Sequence, residues 1–236
     1  MTSINNNHNL VVYTALFGGK DTLVDPTYVD PSVDYVCFTD DPTLTSSVYK
    51  MVLCDSKFKT PIQSAKQFKL LPHLFFPEYT HSLWVDASIV IKTDDMKSWL
   101  DPHIARNNFT VFQNTHPTLS EEIQYLKDAK KVRPEDLDRQ IAQYTQEGLS
   151  LTTSMVDGST ILRAHNNPDV IKFDELWWDQ ICKHTLRDEV SFAYVKWKLC
   201  FNNGTFDHPS RHNNPWVYVR NHRIEEVPLE GVVSKI

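Results

Sequence analysis

Asp86 and Ser88 stand two residues apart inside the apolar run His81-Ser82-Leu83-Trp84-Val85-Asp86-Ala87-Ser88-Ile89-Val90-Ile91. A buried strand is a poor place for a carboxylate, because taking an unpaired charge out of water costs several kcal/mol. Residues i and i+2 of a strand face the same way, so the two oxygens are expected to share a partner. A hard divalent cation, Mg2+ or Mn2+, suits them. It takes oxygen from one or two protein groups and completes its shell with phosphates and water. The competing role for Asp86 is to end the strand and cap the turn after it.

Other residues carry chemistry of the same kind. Asp188 follows Arg187 at the expected start of a helix, where backbone N–H groups and the helix dipole favour an ionised carboxylate. That suits a proton acceptor, with Glu189 as its immediate rival; a plain helix cap from Thr185 or Asp188 is the structural alternative. Lys66 and Lys69 lie three apart on one helical face and are candidates to meet phosphates, against the ordinary fate of solvated lysines. Asp40 is placed to bond a ribose or base, or else to close the turn Asp40-Asp41-Pro42. Asp157-Gly158-Ser159 precedes a strand and either shapes an acceptor site or is a simple turn.

Positioning these groups falls to a strand-rich first half. Residues 10–17 form an apolar β-rich run stopped by Gly18-Gly19, residues 34–41 repeat the design with a carboxylate pair at the end, and residues 49–53 suggest a third strand. The pattern turns helical from residue 61 to 71, until Pro72 and Pro77 interrupt it. A strand over residues 84–91, a short helix over 96–100 and a strand over 109–113 follow. Residues 120–147 place Ile123, Leu126, Leu137, Ile141 and Tyr144 at helical spacing, predicting two amphipathic helices broken near Pro134. A second strand pair is expected at 150–154 and 159–163, then helices over 168–183 and 188–198 and a loose Asn-, His- and Pro-rich tail over 202–215. Such an order favours a mixed α/β sheet with ligand groups at the carboxyl ends of its strands. Thr14 and Ala15, Asp40, and Asp86 with Ser88 would then converge on one rim. A nucleoside diphosphate fits that rim, its base and ribose near the first two strands and its phosphates near a metal.

The chain has 236 residues and a net charge of -6. One domain over residues 10–236 is expected behind a flexible segment 1–9, whether or not a longer chain carries further domains. The negative charge argues against nucleic acid as a partner. Four widely spaced cysteines, Cys37, Cys54, Cys182 and Cys200, include no Cys-x-x-Cys pair. Free thiols are expected, with Cys37 and Cys200 buried. No segment has the length of a membrane span and no signal peptide is visible, so the expectation is a soluble, cytoplasmic protein. Zinc-protease, serine-hydrolase and Walker motifs are absent, and Gly18-Gly19 is too short for a dinucleotide fingerprint. Trp177 and Trp178 are expected in the core, with sugar stacking as the lesser role.

Several blocks resemble one family. They are Val12-Tyr13-Thr14-Ala15-Leu16-Phe17-Gly18-Gly19-Lys20-Asp21, Asp34-Tyr35-Val36-Cys37-Phe38-Thr39-Asp40, Lys69-Leu70-Leu71-Pro72-His73, Phe76-Pro77-Glu78-Tyr79 and Leu83-Trp84-Val85-Asp86. Phe173-Asp174-Glu175-Leu176-Trp177-Trp178 and Arg187-Asp188-Glu189-Val190-Ser191-Phe192-Ala193-Tyr194-Val195 continue the likeness. Together, over residues 10–200, they are similar to a glycosyltransferase-like family formerly described as a domain of unknown function, found in plant cell-wall and mucilage proteins and in bacterial and viral glycan loci. The resemblance implies a GT-A fold, a Rossmann-like nucleotide-diphospho-sugar transferase domain that normally uses Mn2+ or Mg2+. On it, Asp86-Ala87-Ser88 is a weakened DxD element, and His208, preferred to His212, is the late histidine that completes a metal shell. The chain departs from the family pattern at His116-Pro117-Thr118-Leu119-Ser120-Glu121-Glu122, where a basic, cysteine-containing segment is usual. It also has Glu189 where Gln is common.

The expected function is therefore metal-dependent transfer of a sugar from a nucleotide diphosphate, a UDP-sugar first, to a hydroxyl of a glycan or glycoprotein. Asp86 and Ser88 would hold the metal with His208; Thr14, Ala15, Asp40, Lys66, Lys69 and Ala87 would contact the donor; Asp188 or Glu189 would take the proton if the reaction inverts. The alternatives are a metal-dependent hydrolase, or a carbohydrate- or nucleotide-binding domain without chemistry.

Overall fold

The computed structural model describes residues 9–19, 21–212 and 214–220. The segment expected to be flexible lies outside them except for Asn9, whose carbonyl accepts the Thr80 and His81 amides at 3.0 and 3.2 Å.

The chain begins with strand β1 (Leu10–Leu16), whose seven residues are all buried. β-branched and aromatic side chains on both faces of one strand require cover on both sides, and the fold supplies it. Beside β1 run β2 (Asp34–Thr39), β3 (Lys50–Leu53) and β4 (His81–Val85), all parallel. The second half adds β6 (Phe109–Thr118), β7 (Ser154–Arg163) and β8 (Gly204–Thr205), giving a seven-stranded sheet in the order β3-β2-β1-β4-β7-β6-β8. β7 is antiparallel to both of its neighbours, so the sheet is mixed. A separate pair joins β5 (Ile89–Ile91) to β9 (Val217–Val219).

Helices cover both faces. Val11, Tyr13 and Ala15 of β1 pack toward α1 (Pro61–Leu70), α5 (Pro168–Lys183) and α6 (Asp188–Lys198), through Phe68, Phe173, Trp177 and Phe192. The same layer holds α3 (Leu119–Asp128) and α4 (Pro134–Gln146), the two helices expected around Pro134. Leu10, Val12 and Leu16 face the other way, against Met96, Trp99 and Leu100 of α2 (Met96–Ile104). Local chemistry sets the helix starts. Thr60 caps α1 ahead of Pro61, Asn167 caps α5 ahead of Pro168, and Thr118 with Glu121 forms a capping box on α3. Gly18, at φ +68°, lies so close to Pro61 that a Cβ there would meet the proline ring at 2.5 Å. This close approach seats the first turn of α1 against the end of β1.

Four expectations are corrected. The run 84–91 is two strands: Asp86 makes the last rung through its amide to Ser159 O at 2.8 Å, and a turn closed by Ile89 N to Asp86 O at 2.8 Å sends β5 away from the main sheet. Asp86 and Ser88 are thus turn residues, not same-face neighbours on a strand. Residues 150–153 are a turn as well, because Ser150 draws the Thr152 and Thr153 amides onto its own hydroxyl and carbonyl. The strand expected over 109–113 continues to Thr118, which pairs with Ser154. Cys37 is a buried free thiol, whereas Cys200 is exposed, since α6 ends before it and the chain turns there at φ 49°.

Candidate active site

A cleft of about 930 Å³ opens at the carboxyl ends of β1, β4 and β6 and the facing end of the antiparallel β7. This is the edge at which open α/β sheets bind ligands.

Its floor is a cluster of charges. Lys66 Nζ lies 2.6 Å from Asp188 Oδ1, and Lys69 Nζ lies 2.7 Å from Asp188 Oδ2 and 3.1 Å from Asp86 Oδ1. Asp188 and Lys69 are each 3 % exposed. Burial alone would raise the Asp188 carboxyl, but the two ammonium groups and a hydrogen bond from Glu189 hold it well below the usual carboxylate range. Burial alone would lower Lys69; the carboxylates of Asp188 and Asp86 push it up instead. Glu189 goes the opposite way to Asp188: burial, then the adjacent Asp188 charge, raise its carboxyl to about 8. Two carboxyl groups in contact do not both ionise, so Asp188 carries the charge and Glu189 the proton.

Each member is placed by a neighbour. Lys69 sits in the last turn of α1, where backbone carbonyls lack helical partners. The Lys69 carbonyl accepts Arg163 Nη2 at 2.5 Å and Tyr13 OH at 3.2 Å. Arg163, fully buried at the end of β7, is in turn held by both oxygens of Asp174 at 2.8 and 2.9 Å. The start of α6 is fixed by Trp177, whose indole Nε1 donates to Asp188 O at 2.8 Å. Arg187 occupies the cap position there without a side-chain cap, so the Asp188 carboxylate is not a helix cap. Gly158 leaves space over the ion pair: a Cβ at that position would lie 3.5 Å from Lys69 Nζ and 3.7 Å from Asp188 Oδ2.

Asp86 is set at the cleft by Trp84 Nε1, which donates to its Oδ1 at 2.7 Å. Its side chain is 36 % exposed, and no described residue engages Oδ2. The turn that carries Asp86 is pinned from the far end of the chain by Arg220, whose Nε donates to Ala87 O at 3.0 Å and whose amide donates to Ser88 O at 2.9 Å. Across the cleft, at the junction of β6 and α3, His116 Nδ1 lies 2.9 Å from Glu122 Oε2 and its ring stacks on Tyr125 with centroids 4.3 Å apart. Arg187 also lines the cleft, and its Nε is buried without a hydrogen-bond partner.

The cleft gathers Ala15, Lys66, Lys69, Asp86, Ala87, Ser88, Asp188 and Glu189. Thr14, Asp40 and His208 do not line it. Thr14 is 1 % exposed within β1, Asp40 accepts the Gly18 amide at 2.9 Å, and His208 is exposed on the late loop. That loop instead sends Arg211 to the cleft, its Nε 3.1 Å from Asp157 Oδ2. Lys66 and Lys69, expected to meet phosphates, are engaged by Asp188. Asp188, expected as the base, has both oxygens on ammonium groups, and a lowered pKa makes a weak proton acceptor. Trp84, Arg187 and the His116–Glu122 pair line the cleft and Arg163 supports it from behind, and local spacing did not reveal any of them.

Among the described residues, no group of three or more His, Cys, Asp or Glu side chains is gathered to hold a metal by itself. A hard cation that keeps water and substrate phosphates in its shell needs only one or two carboxylates, and the open Oδ2 of Asp86 fits that requirement. None of the described helices is long and apolar enough to cross a membrane.

The mixed sheet with helices on both faces is consistent with an α/β nucleotide-sugar-binding fold, and comparison with known proteins agrees with it. The chain is 26 % identical over 221 residues to the probable hexosyltransferase MUCI70 of Arabidopsis thaliana, an alignment covering 80 % of this chain and 37 % of that protein. It therefore spans well under half the length of that relative. Residues 1–210 match the TOD1/MUCI70 glycosyltransferase-like domain, and the chain belongs to that family.

Proposed function

We propose that the chain is a GT-A-type glycosyltransferase that moves a sugar from a nucleotide diphosphate, a UDP-sugar first, to a hydroxyl of a glycan or glycoprotein. The observation that carries this is Asp86: a carboxylate at the end of β4, held through one oxygen by Trp84 and Lys69, with the other oxygen open to the cleft. Mn2+ or Mg2+ would be held there, with Ser88 of the same turn next to it, and would offset the charge of the departing diphosphate. The strand order supports the same reading, because the cleft lies at the carboxyl ends of the parallel strands and at the facing start of the antiparallel strand β7, which lies between β4 and β6. Lys66 and Lys69, balanced by Asp188, form a rigid base beneath the donor. The protonated Glu189 would present a neutral hydrogen-bonding group.

Calorimetric titration of UDP, GDP and their common sugar conjugates, first with Mn2+ and then with excess EDTA, tests the donor site. Metal-dependent binding of one nucleotide, weakened at least tenfold in Asp86→Asn, is expected. Equal UDP affinity of wild type and Asp86→Asn in Mn2+ would sink the metal assignment. The neutralised Asp188 favours one rival, a binding domain without chemistry; metal-dependent nucleotide binding with no turnover of any donor would select it.

A further inference from the structure

Both Asp188 oxygens on the floor of the cleft are engaged by lysines, which leaves the proton of an incoming hydroxyl to a group elsewhere in it. The opposite wall contains one. His116 is at the end of β6, and Glu122 is in the first turn of α3, where the capping box at Thr118 starts the helix and turns residue 122 back toward the strand. Glu122 is 4 % exposed, yet its Oε2 lies 2.9 Å from His116 Nδ1 and 3.3 Å from Asn114 Nδ2. Asn114 is itself fixed, donating to Val156 O at 3.2 Å and accepting the His116 amide at 2.9 Å. Tyr125, one helical turn beyond Glu122, stacks on the imidazole and sets the plane of the ring. An ionised carboxylate only accepts hydrogen bonds, so it fixes the proton on Nδ1 and leaves the lone pair on Nε2. A buried carboxylate, an oriented imidazole and a free second nitrogen are the parts by which His–acid pairs take protons from hydroxyl groups. His116 keeps a 30 % exposed side chain, so a substrate can reach it.

We propose that His116 and Glu122 form a catalytic dyad on the acceptor wall of the cleft, with His116 Nε2 taking the proton of the acceptor hydroxyl. The proposal rests on the sugar-transfer reading above. The acceptor oxygen forms a bond to the anomeric carbon as the bond from that carbon to the donor phosphate breaks. The nucleoside diphosphate leaves with the electron pair, the acceptor proton moves to Nε2, and Glu122 stabilises the resulting imidazolium. Asp86 follows β4 and His116 lies near the end of β6, with β7 between these strands. Asp86 is level with Ser159 of β7, whereas His116 falls between the rungs Gln113–Val156 and Thr118–Ser154, so the two groups are offset along the strands as well as across two inter-strand spacings of about 4.8 Å each. Both line one cleft, and an inverting displacement would set the donor phosphates and the base on opposite sides of the sugar.

The test measures nucleotide release from a panel of common UDP- and GDP-sugars, each with and without a panel of mono- and oligosaccharide acceptors, by wild type, His116→Ala and Glu122→Gln, with UDP affinity in Mn2+ followed alongside. Loss of a positioned base is expected to lower release by about 10² to 10⁴ in His116→Ala, with UDP affinity unchanged and release partly restored by added imidazole. Glu122→Gln is expected to retain UDP binding and lose about tenfold or more in release. Release within about threefold of wild type in His116→Ala, or a loss that imidazole does not relieve while UDP affinity is kept, overturns the dyad. Acylation of His116 by diethyl pyrocarbonate, mapped by mass spectrometry, needs no turnover. It should slow about fivefold in Glu122→Gln if the carboxylate activates Nε2, and equal rates overturn the dyad. A wild type that releases nucleotide from no donor with any acceptor refutes the sugar-transfer reading instead, and the acylation rates then judge the His116–Glu122 pair alone.

Discussion

Replacing Glu189 with Gln removes one titration from the centre of the charge cluster while keeping a neutral side chain that can still donate to Asp188. In the unfolded chain this carboxyl ionises at its ordinary value of 4.5; in the fold, burial and the Asp188 charge raise it to about 8. Between those values the folded chain keeps a proton that the unfolded chain has released, so the group's contribution to stability falls as pH rises. One proton corresponds to about 1.4 kcal/mol per pH unit at full slope, so wild type loses about 2 to 3 kcal/mol from this group between about pH 5.5 and 7.5. Histidines push the other way. Burial lowers His165 to about 4, so its contribution grows as pH rises from there through the ordinary imidazole range. That contribution is common to both proteins and cancels in their difference. Urea unfolding at several pH values across this interval should therefore show the variant gaining on wild type by about 1.4 kcal/mol per unit. Parallel stability curves would mean that Glu189 is ionised in the fold, and the shared proton of the Asp188–Glu189 pair would be refuted.

Three further substitutions read the same floor. Asp188→Asn leaves Lys66 and Lys69 short of their shared counter-charge, and a loss of about 3–5 kcal/mol in chemical unfolding is expected; a loss below about 1 kcal/mol would show that the lysines find solvent instead. Trp84→Phe keeps the apolar bulk but removes the N–H that holds Asp86 at 2.7 Å. A hydrogen bond to a charged group is worth about 1.5–3 kcal/mol, so Mn2+-dependent UDP binding should weaken by about tenfold or more, and unchanged affinity would separate Trp84 from the site. Arg187→Gln removes a cation that has no ion-pair partner among the described residues, so UDP affinity in EDTA should fall about tenfold while unfolding stability stays within about 0.5 kcal/mol of wild type. A larger stability loss with unaltered affinity would make Arg187 a structural residue.

The helices were the most legible part of the chain. Pro168 after Asn167 and the apolar spacing through Trp177 mark α5 to its observed ends, and the acidic pair after Arg187 marks the start of α6. The break at Asp86 was hidden because its causes are remote. Neither glycine nor proline interrupts residues 84–91, and the turn is imposed by Ser159 on the neighbouring strand and by Arg220 near the end of the described chain. Lys66, Lys69, Asp86 and Asp188 were each recognisable as charges in unusual places. That two of the lysine contacts would be to Asp188 is a property of the α1–α6 contact, and no local spacing encodes it. Arg163 gave the same signal as Asp86, a charge at the end of an apolar run, and its partner Asp174 was a second one on the buried face of α5. The His116–Glu122 pair escaped because six residues separate its members across a strand-to-helix junction, where neither the strand nor the helix period applies. The capping box Thr118-x-x-Glu121, which the helical spacing over 120–147 left unread, is the one local feature that starts the helix early enough to bring residue 122 back.

The charges of the floor also bear on how an anionic donor is held. With Glu189 protonated, Lys66 and Lys69 are balanced by Asp86 and Asp188, two positive charges against two negative, so the cluster exerts little attraction beyond its own contacts. The whole chain is negative, at -6, and repels an approaching diphosphate at long range. Attraction must then come from charges that the fold has not already neutralised. Arg187 at the start of α6 is one, reinforced by the positive end of the helix dipole, and a cation on the open oxygen of Asp86 would be the other. Lys69 is buried and Lys66 and Arg187 are each half-buried, so what separates the lysines from Arg187 is their pairing. Paired, the lysines tie α1 to the turn after β4 and to α6, whereas a phosphate-binding cation must remain free to exchange water for ligand. The floor sets geometry, and recognition of the anion falls to the groups above it.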